Sequence, residues 1–141
     1  VVAGIGRGQL KVLNDRIAKK KEIYEAYKEG FKEIEDIEMM NIADFGEPNY
    51  WLSCMTINED SKVKPLDIIL ALEKENIESR PVWKPMHMQP FFKDYKFFSE
   101  KDGVSISEDL FNRGICLPSD TKNTIEEFNT VISIIKDQFD R

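Results

Sequence analysis

The chain has 141 residues, enough for one domain with a real core and too few for two independent ones. Twenty basic residues against 26 acidic leave a net charge of −6, which argues against nucleic acid or an anionic membrane surface as the main partner. With 41% hydrophobic residues and nine phenylalanines, the chain is too apolar and aromatic to be a disordered tail.

The opening Gly4-Ile5-Gly6-Arg7-Gly8 invites comparison with a phosphate-cradling loop. Its third glycine comes one position too early for the dinucleotide pattern, and no Lys-Ser or Lys-Thr follows. Small residues that let the segment pack closely on a neighbour are the favoured reading. Leu10, Leu13, Ile17, Tyr24, Tyr27 and Phe31 then step along one helix face, so a single amphipathic helix is predicted over residues 9–30. The Lys19-Lys20-Lys21 run falls on its solvated side, diluted by Glu22, Glu25 and Glu29.

Residues 32–49 show no period and end in a Gly46-Glu47-Pro48-Asn49 turn. The nearly continuous apolar run over 50–57 suits a strand covered on both faces. Pro65 stands where a helix takes its first residue, and Leu66, Ile69, Leu70 and Leu72 carry that helix to Asn76. A strand is expected over 77–82, since a residue before proline, here Arg80, is held extended. Residues 81–92 hold three prolines and several large apolar side chains without any period, so this loop must pack on something.

Ser105 or Ser107 can cap a helix through Glu108, Leu110 and Phe111, closed by Gly114. A three-residue strand over 115–117 stops at Pro118. The Thr124-Ile125-Glu126-Glu127 capping box opens a last helix with Phe128, Val131, Ile132, Ile135 and Phe139 on its apolar face. Helices alternating with short strands predict a small α+β sandwich.

Chemistry-bearing residues are few. Cys54 and Cys116 lie in apolar runs and read as buried core thiols, with neither a disulfide framework nor a zinc site indicated. No Gly-x-Ser-x-Gly nucleophile motif occurs. His87 is the sole histidine, so no histidine pair can form within the chain. A lone histidine is more often structural than catalytic, but Arg80, Lys84 and His87 fall within eight positions of a proline-stiffened loop, a set that suits a phosphorylated ligand.

These segments also carry a resemblance. Ala3-Gly4-Ile5-Gly6-Arg7-Gly8-Gln9-Leu10 with Leu13-Asn14-Asp15-Arg16, then Asn49-Tyr50-Trp51-Leu52, then Arg80-Pro81-Val82-Trp83-Lys84-Pro85-Met86-His87-Met88-Gln89-Pro90, then Asn112-Arg113-Gly114-Ile115-Cys116-Leu117-Pro118-Ser119, resemble in order and spacing the DegT/DnrJ/StrS-type nucleotide-sugar aminotransferases. Those enzymes use pyridoxal 5'-phosphate.

The resemblance covers essentially the whole chain, and the Arg-Pro-x-Trp-Lys-Pro-Met-His block is its specific part. It implies the α+β small domain of a fold-type I aminotransferase: residues 1–31 as the interdomain connecting helix and 32–141 as a mostly antiparallel small sheet packed by helices. It also implies that the large domain, with the cofactor lysine, lies outside the chain. That fits a sequence beginning Val1-Val2-Ala3-Gly4, which reads as a fragment inactive by itself.

By the same resemblance the parent is a homodimer that transfers an amino group, from glutamate as the expected donor, to a nucleotide-linked keto-sugar; the lack of a bilayer-spanning stretch and of a signal segment makes the cytoplasm its expected location. Arg80, Lys84 and His87 would bind the substrate; no catalytic, cofactor-binding or metal-ligating residue is expected in the chain. No apolar stretch could span a bilayer, so no membrane partner is expected either. The alternative is a stand-alone interaction or regulatory module that kept the fold without catalysis, and a phosphate-binding module built on Gly4 to Gly8 is a further one.

Overall fold

The computed structural model describes residues 1–101 and 103–140. The predicted first helix is two helices: α1 (Val2–Leu10) and α2 (Leu13–Phe31), broken at Lys11 and Val12. Gly4, Gly6 and Gly8 lie inside α1, with nothing within 4 Å of where a side chain would start. Both a phosphate loop and a close-packing glycine stripe within this chain are therefore overturned. α1 buries no residue.

The apolar spacing of α2 is realised only in its second half. There Ile23, Tyr24, Tyr27 and Phe31 are buried while Leu13 stays exposed. Gly30 lies inside the helix rather than at its end, and a Cβ on it would come within 2.8 Å of Ile132. This glycine sets how closely α2 approaches the last helix.

Four strands make one antiparallel sheet in the order β1-β2-β4-β3: β1 (Ile37–Met39), β2 (Ser53–Ile57), β3 (Arg80–Pro81) and β4 (Gly114–Leu117). The 50–57 strand starts only at Ser53, because Tyr50 adopts φ +52° and Trp51 N–H donates to Asn49 Oδ1 at 3.0 Å, a turn rather than a ladder. The 77–82 strand shrinks to Arg80–Pro81, since Pro81 has no amide hydrogen to donate and Ile77 is still tied to the end of α3 through Leu72 O. β1 was unforeseen; Ile37 and Met39 face the core and Glu38 points away.

Helix α3 (Pro65–Lys74) closes in a Schellman motif. Asn76 takes φ +64°, its amide bonds to Glu73 O at 2.9 Å, and that of Ile77 bonds to Leu72 O at 3.0 Å. Helix α4 (Ile106–Arg113) is capped by Ser105 Oγ, which accepts from Glu108 N at 3.2 Å, and passes directly into β4. Gly114 is no left-handed cap. It is required by contact, because a Cβ there would lie 2.4 Å from Leu110 O and 2.8 Å from Val82.

The capping box of α5 (Ile125–Phe139) forms as read: Thr124 Oγ1 accepts from Glu127 N and Glu127 Oε2 accepts from Thr124 N. Helices α2, α3 and α5 cover one sheet face. There Ile23, Tyr27, Phe31, Met55, Ile57, Ile68, Leu72, Ile115, Leu117, Phe128, Val131 and Ile135 form the core. Tyr27 is fully buried; its hydroxyl donates to Pro118 O at 2.8 Å, and burial pushes the phenol's pKa upward.

Candidate functional site

Strand register decides what the other sheet face carries. Residues directly opposed in an antiparallel ladder share a face. Cys54 pairs with Cys116, and Cys116 with Arg80, so these three stand in one row across β2, β4 and β3, opposite the core. The strand over 53–57 is therefore core-packed on one face only: Ser53, Met55 and Ile57 are buried, Cys54 and Thr56 half-buried. The two cysteines are not core residues, and their sulfurs are 3.6 Å apart.

Above this row opens a cleft of about 840 Å³, lined among others by Glu78, Arg80, Trp83, Lys84, Phe111 and Cys116. β3 fixes Arg80 at its edge, where Nε donates to Glu78 Oε1 at 2.6 Å. The prolines after it hold the chain extended, and Lys84 Nζ stands 5.9 Å from the centre of the Phe111 ring on α4. Trp83, 63% exposed, lies 5.8 Å ring to ring from Trp51, which sits just before β2 and after the left-handed turn at Tyr50. Ser79 Oγ is buried beside the cleft without a hydrogen-bond partner.

The structure thus brings Arg80 and Lys84 to one cleft. His87 sits apart, in the short 3₁₀ turn Met86–Met88. Its Nε2 is 3.3 Å from Ser105 Oγ and 3.6 Å from Glu108 Oε2, and its ring stacks on Phe97 with centres 3.9 Å apart. The histidine therefore ties the loop to the start of α4, and its Nδ1 has no hydrogen-bond partner among the described residues.

The rest of the loop, expected to pack on something, packs chiefly on itself through Phe91, Phe92 and Tyr95. It leaves Phe91 at 77% and Phe98 at 76% exposure. Among the described residues no cluster of His, Cys, Asp and Glu could hold a metal ion, and no helix is long and apolar enough to cross a membrane.

Residues 1–136 match the DegT/DnrJ/EryC1/StrS aminotransferase family. The chain belongs to that family. EpsN of Bacillus subtilis (strain 168), whose name assigns it provisionally to the pyridoxal phosphate-dependent aminotransferases, is 41% identical over 96% of the chain and 34% of its own length. A GDP-perosamine synthase of Vibrio cholerae is 27% identical over 97% of the chain and 36% of its own length.

Among solved structures, DesV of S. venezuelae superposes with a TM-score of 0.84 at 15% identity, over 99% of this chain and 36% of that one. The aminotransferase TlmJ from Streptoalloteichus hindustanus gives 0.78 at 16% identity, over 96% and 35%. These two likenesses show the fold. The chain spans about a third of the length of the relatives it matches.

The cleft residues do not fit pyridoxal phosphate. Its carboxylate, Glu78, is taken by Arg80 rather than free for a pyridine nitrogen, and Lys84 is exposed over the Phe111 ring. No step through that cofactor is assigned to these side chains.

Proposed function

We propose that the chain is the substrate-side small domain of a pyridoxal phosphate-dependent aminotransferase that transfers an amino group, from glutamate, to a nucleotide-linked keto-sugar. Residues 1–31 connect it to a large domain that carries the cofactor and its lysine. Arg80 and Lys84 hold the phosphates of the nucleotide-sugar from the cleft wall, and His87, in the 3₁₀ turn outside that wall, offers Nδ1 to the part of the ligand that extends beyond the cleft, its Nε2 being held by α4. Their contribution is orientation: they fix the keto-sugar relative to the reacting amine without moving a proton themselves. By themselves these 141 residues are inactive, and the working unit is a homodimer in the cytoplasm.

The observation that carries the reading is the convergence of two cations on an aromatic-walled cleft within a chain of this family. The exposed aromatic surface of the 82–105 segment supports a larger partner, since contiguous apolar patches of this kind mark surfaces that another body covers.

The test uses His87→Ala in the full-length protein, with the two half-reactions measured separately. A charge-assisted contact is worth about 1.5 to 3 kcal/mol, so kcat/KM for the nucleotide-sugar should fall by about tenfold to a hundredfold. The glutamate half-reaction and cofactor loading should be unchanged. Equal damage to both half-reactions, or none to either, overturns a substrate contact by His87.

A further inference from the structure

The two cysteines stand 62 positions apart in sequence and directly opposite each other in the β2–β4 ladder. Directly opposed residues of an antiparallel pair have Cα atoms about 4.5 to 5.5 Å apart, inside the span of about 4.4 to 6.8 Å that a disulfide requires. The thiols already touch, at 3.6 Å, and both are half-buried rather than sealed. Cys116 lines the open cleft, so a small reagent can reach its sulfur.

We propose that Cys54 and Cys116 are a reactive dithiol site, oxidised reversibly to a cross-strand disulfide by small-molecule disulfides and bridged by trivalent arsenicals. The site stands on strand register and cleft geometry, independent of what the cleft binds.

The two thiols have separate roles. The hydrogen bond between them pushes the Cys54 thiol's pKa up, with burial adding to it, and the same bond pushes Cys116 down. Cys116 is the one that lines the cleft, so it meets the reagent first. Its thiolate attacks one sulfur of the disulfide reagent, breaking the S–S bond and releasing one reagent thiolate, which takes up a proton. Cys54 then loses its proton to solvent and attacks the Cys116 sulfur, expelling the second reagent thiolate. Two protein thiols are oxidised to one disulfide, and one reagent disulfide is reduced to two thiols.

The experiment treats the reduced, folded chain with oxidised glutathione and reads intact mass and peptide linkage. The expected product has lost two hydrogens, carries no glutathione, links the Cys54 and Cys116 peptides within one chain, and returns to the dithiol on reduction. Cys54→Ser should instead retain one glutathione on Cys116, because nothing remains to resolve it. Untreated wild type should bind one phenylarsine oxide per chain, and both Cys54→Ser and Cys116→Ser should bind none, with melting curves confirming that the variants are folded. A wild-type chain that keeps glutathione on either cysteine, crosslinks between chains, or stays fully reduced while failing to bind the arsenical overturns the proposal.

Discussion

On one face of the sheet Met55, Ile57, Ile115 and Leu117 are at most 2% exposed beneath α2, α3 and α5, whereas on the other Cys54, Thr56 and Cys116 are half-buried below a loop that leaves Trp83, Phe91 and Phe98 largely in solvent. The first face is complete within the chain. Its side chains interdigitate with three helices, two of which, α3 and α5, are closed by their own caps, so removing any one side chain leaves a hole nothing else fills. The second face has apolar surface that the chain itself does not cover, and beside it the two cations of the cleft. On the proposed function this is the face that meets the ligand and the large domain, and packing it fully would close the cleft.

The sharpest way to break that contrast is to truncate an apolar residue on each side. Ile135→Ala, at a fully buried position, should lower unfolding free energy by about 2 to 5 kcal/mol. Phe91→Ala, of similar chemistry but exposed, should change it by less than about 0.5 kcal/mol. Urea unfolding of this chain measures both, and comparable losses would mean that the loop is as much a part of the fold as the core.

Next in size is Gly114→Ala, where the two faces meet. The added methyl collides with Leu110 O and Val82, so α4 must shift against β3, at a cost of about 1 to 3 kcal/mol. Thermal unfolding that leaves Gly114→Ala equal to wild type would show the α4–β4 junction to be looser than its contacts.

The smallest effect is a pH dependence. The hydrogen bond from Arg113, reinforced by its charge, holds the Asp109 carboxyl below the usual carboxylate range. A folded value below the unfolded one adds stability above the usual range and loses it as pH falls through the depressed value. The Asp109 side chain is 47% exposed, so solvent screens the pair and the contribution is about 1 kcal/mol at most. Asp109→Asn should flatten the acid limb of stability against pH by that amount, and an unchanged limb would assign it to other carboxylates.

Much of the first face was legible in sequence because its signals are local. Pro65 and Asn76 mark the two ends of α3, and Thr124 with Glu127 opens α5. β1 escaped because a three-residue strand carries only one alternation, Ile37-Glu38-Met39, and its existence depends on pairing with β2. The break at Lys11 and Val12 carries no proline or glycine to announce it.

That Arg80 and Lys84 come to one cleft was readable from their place on a proline-stiffened loop. The engagement of His87 by Ser105 and Glu108, 18 and 21 positions on, could not be read from local sequence. The cysteine pair was hidden for the same reason: each lies in an apolar run that looks like core, and only the register of two strands turns both to the outer face.

The most direct test of the division between the faces is Lys84→Ala in the full-length protein, with nucleotide-sugar affinity measured by calorimetry and the melting temperature recorded beside it. Lys84 is exposed and meets the rest of the chain at the Phe111 ring. A phosphate contact by its ammonium, at about 1.5 to 3 kcal/mol, predicts a Kd weakened by about tenfold to a hundredfold, with the melting temperature unmoved. Unchanged affinity, or a fall in affinity matched by a lower melting temperature, would contradict the proposed role of this face in holding substrate.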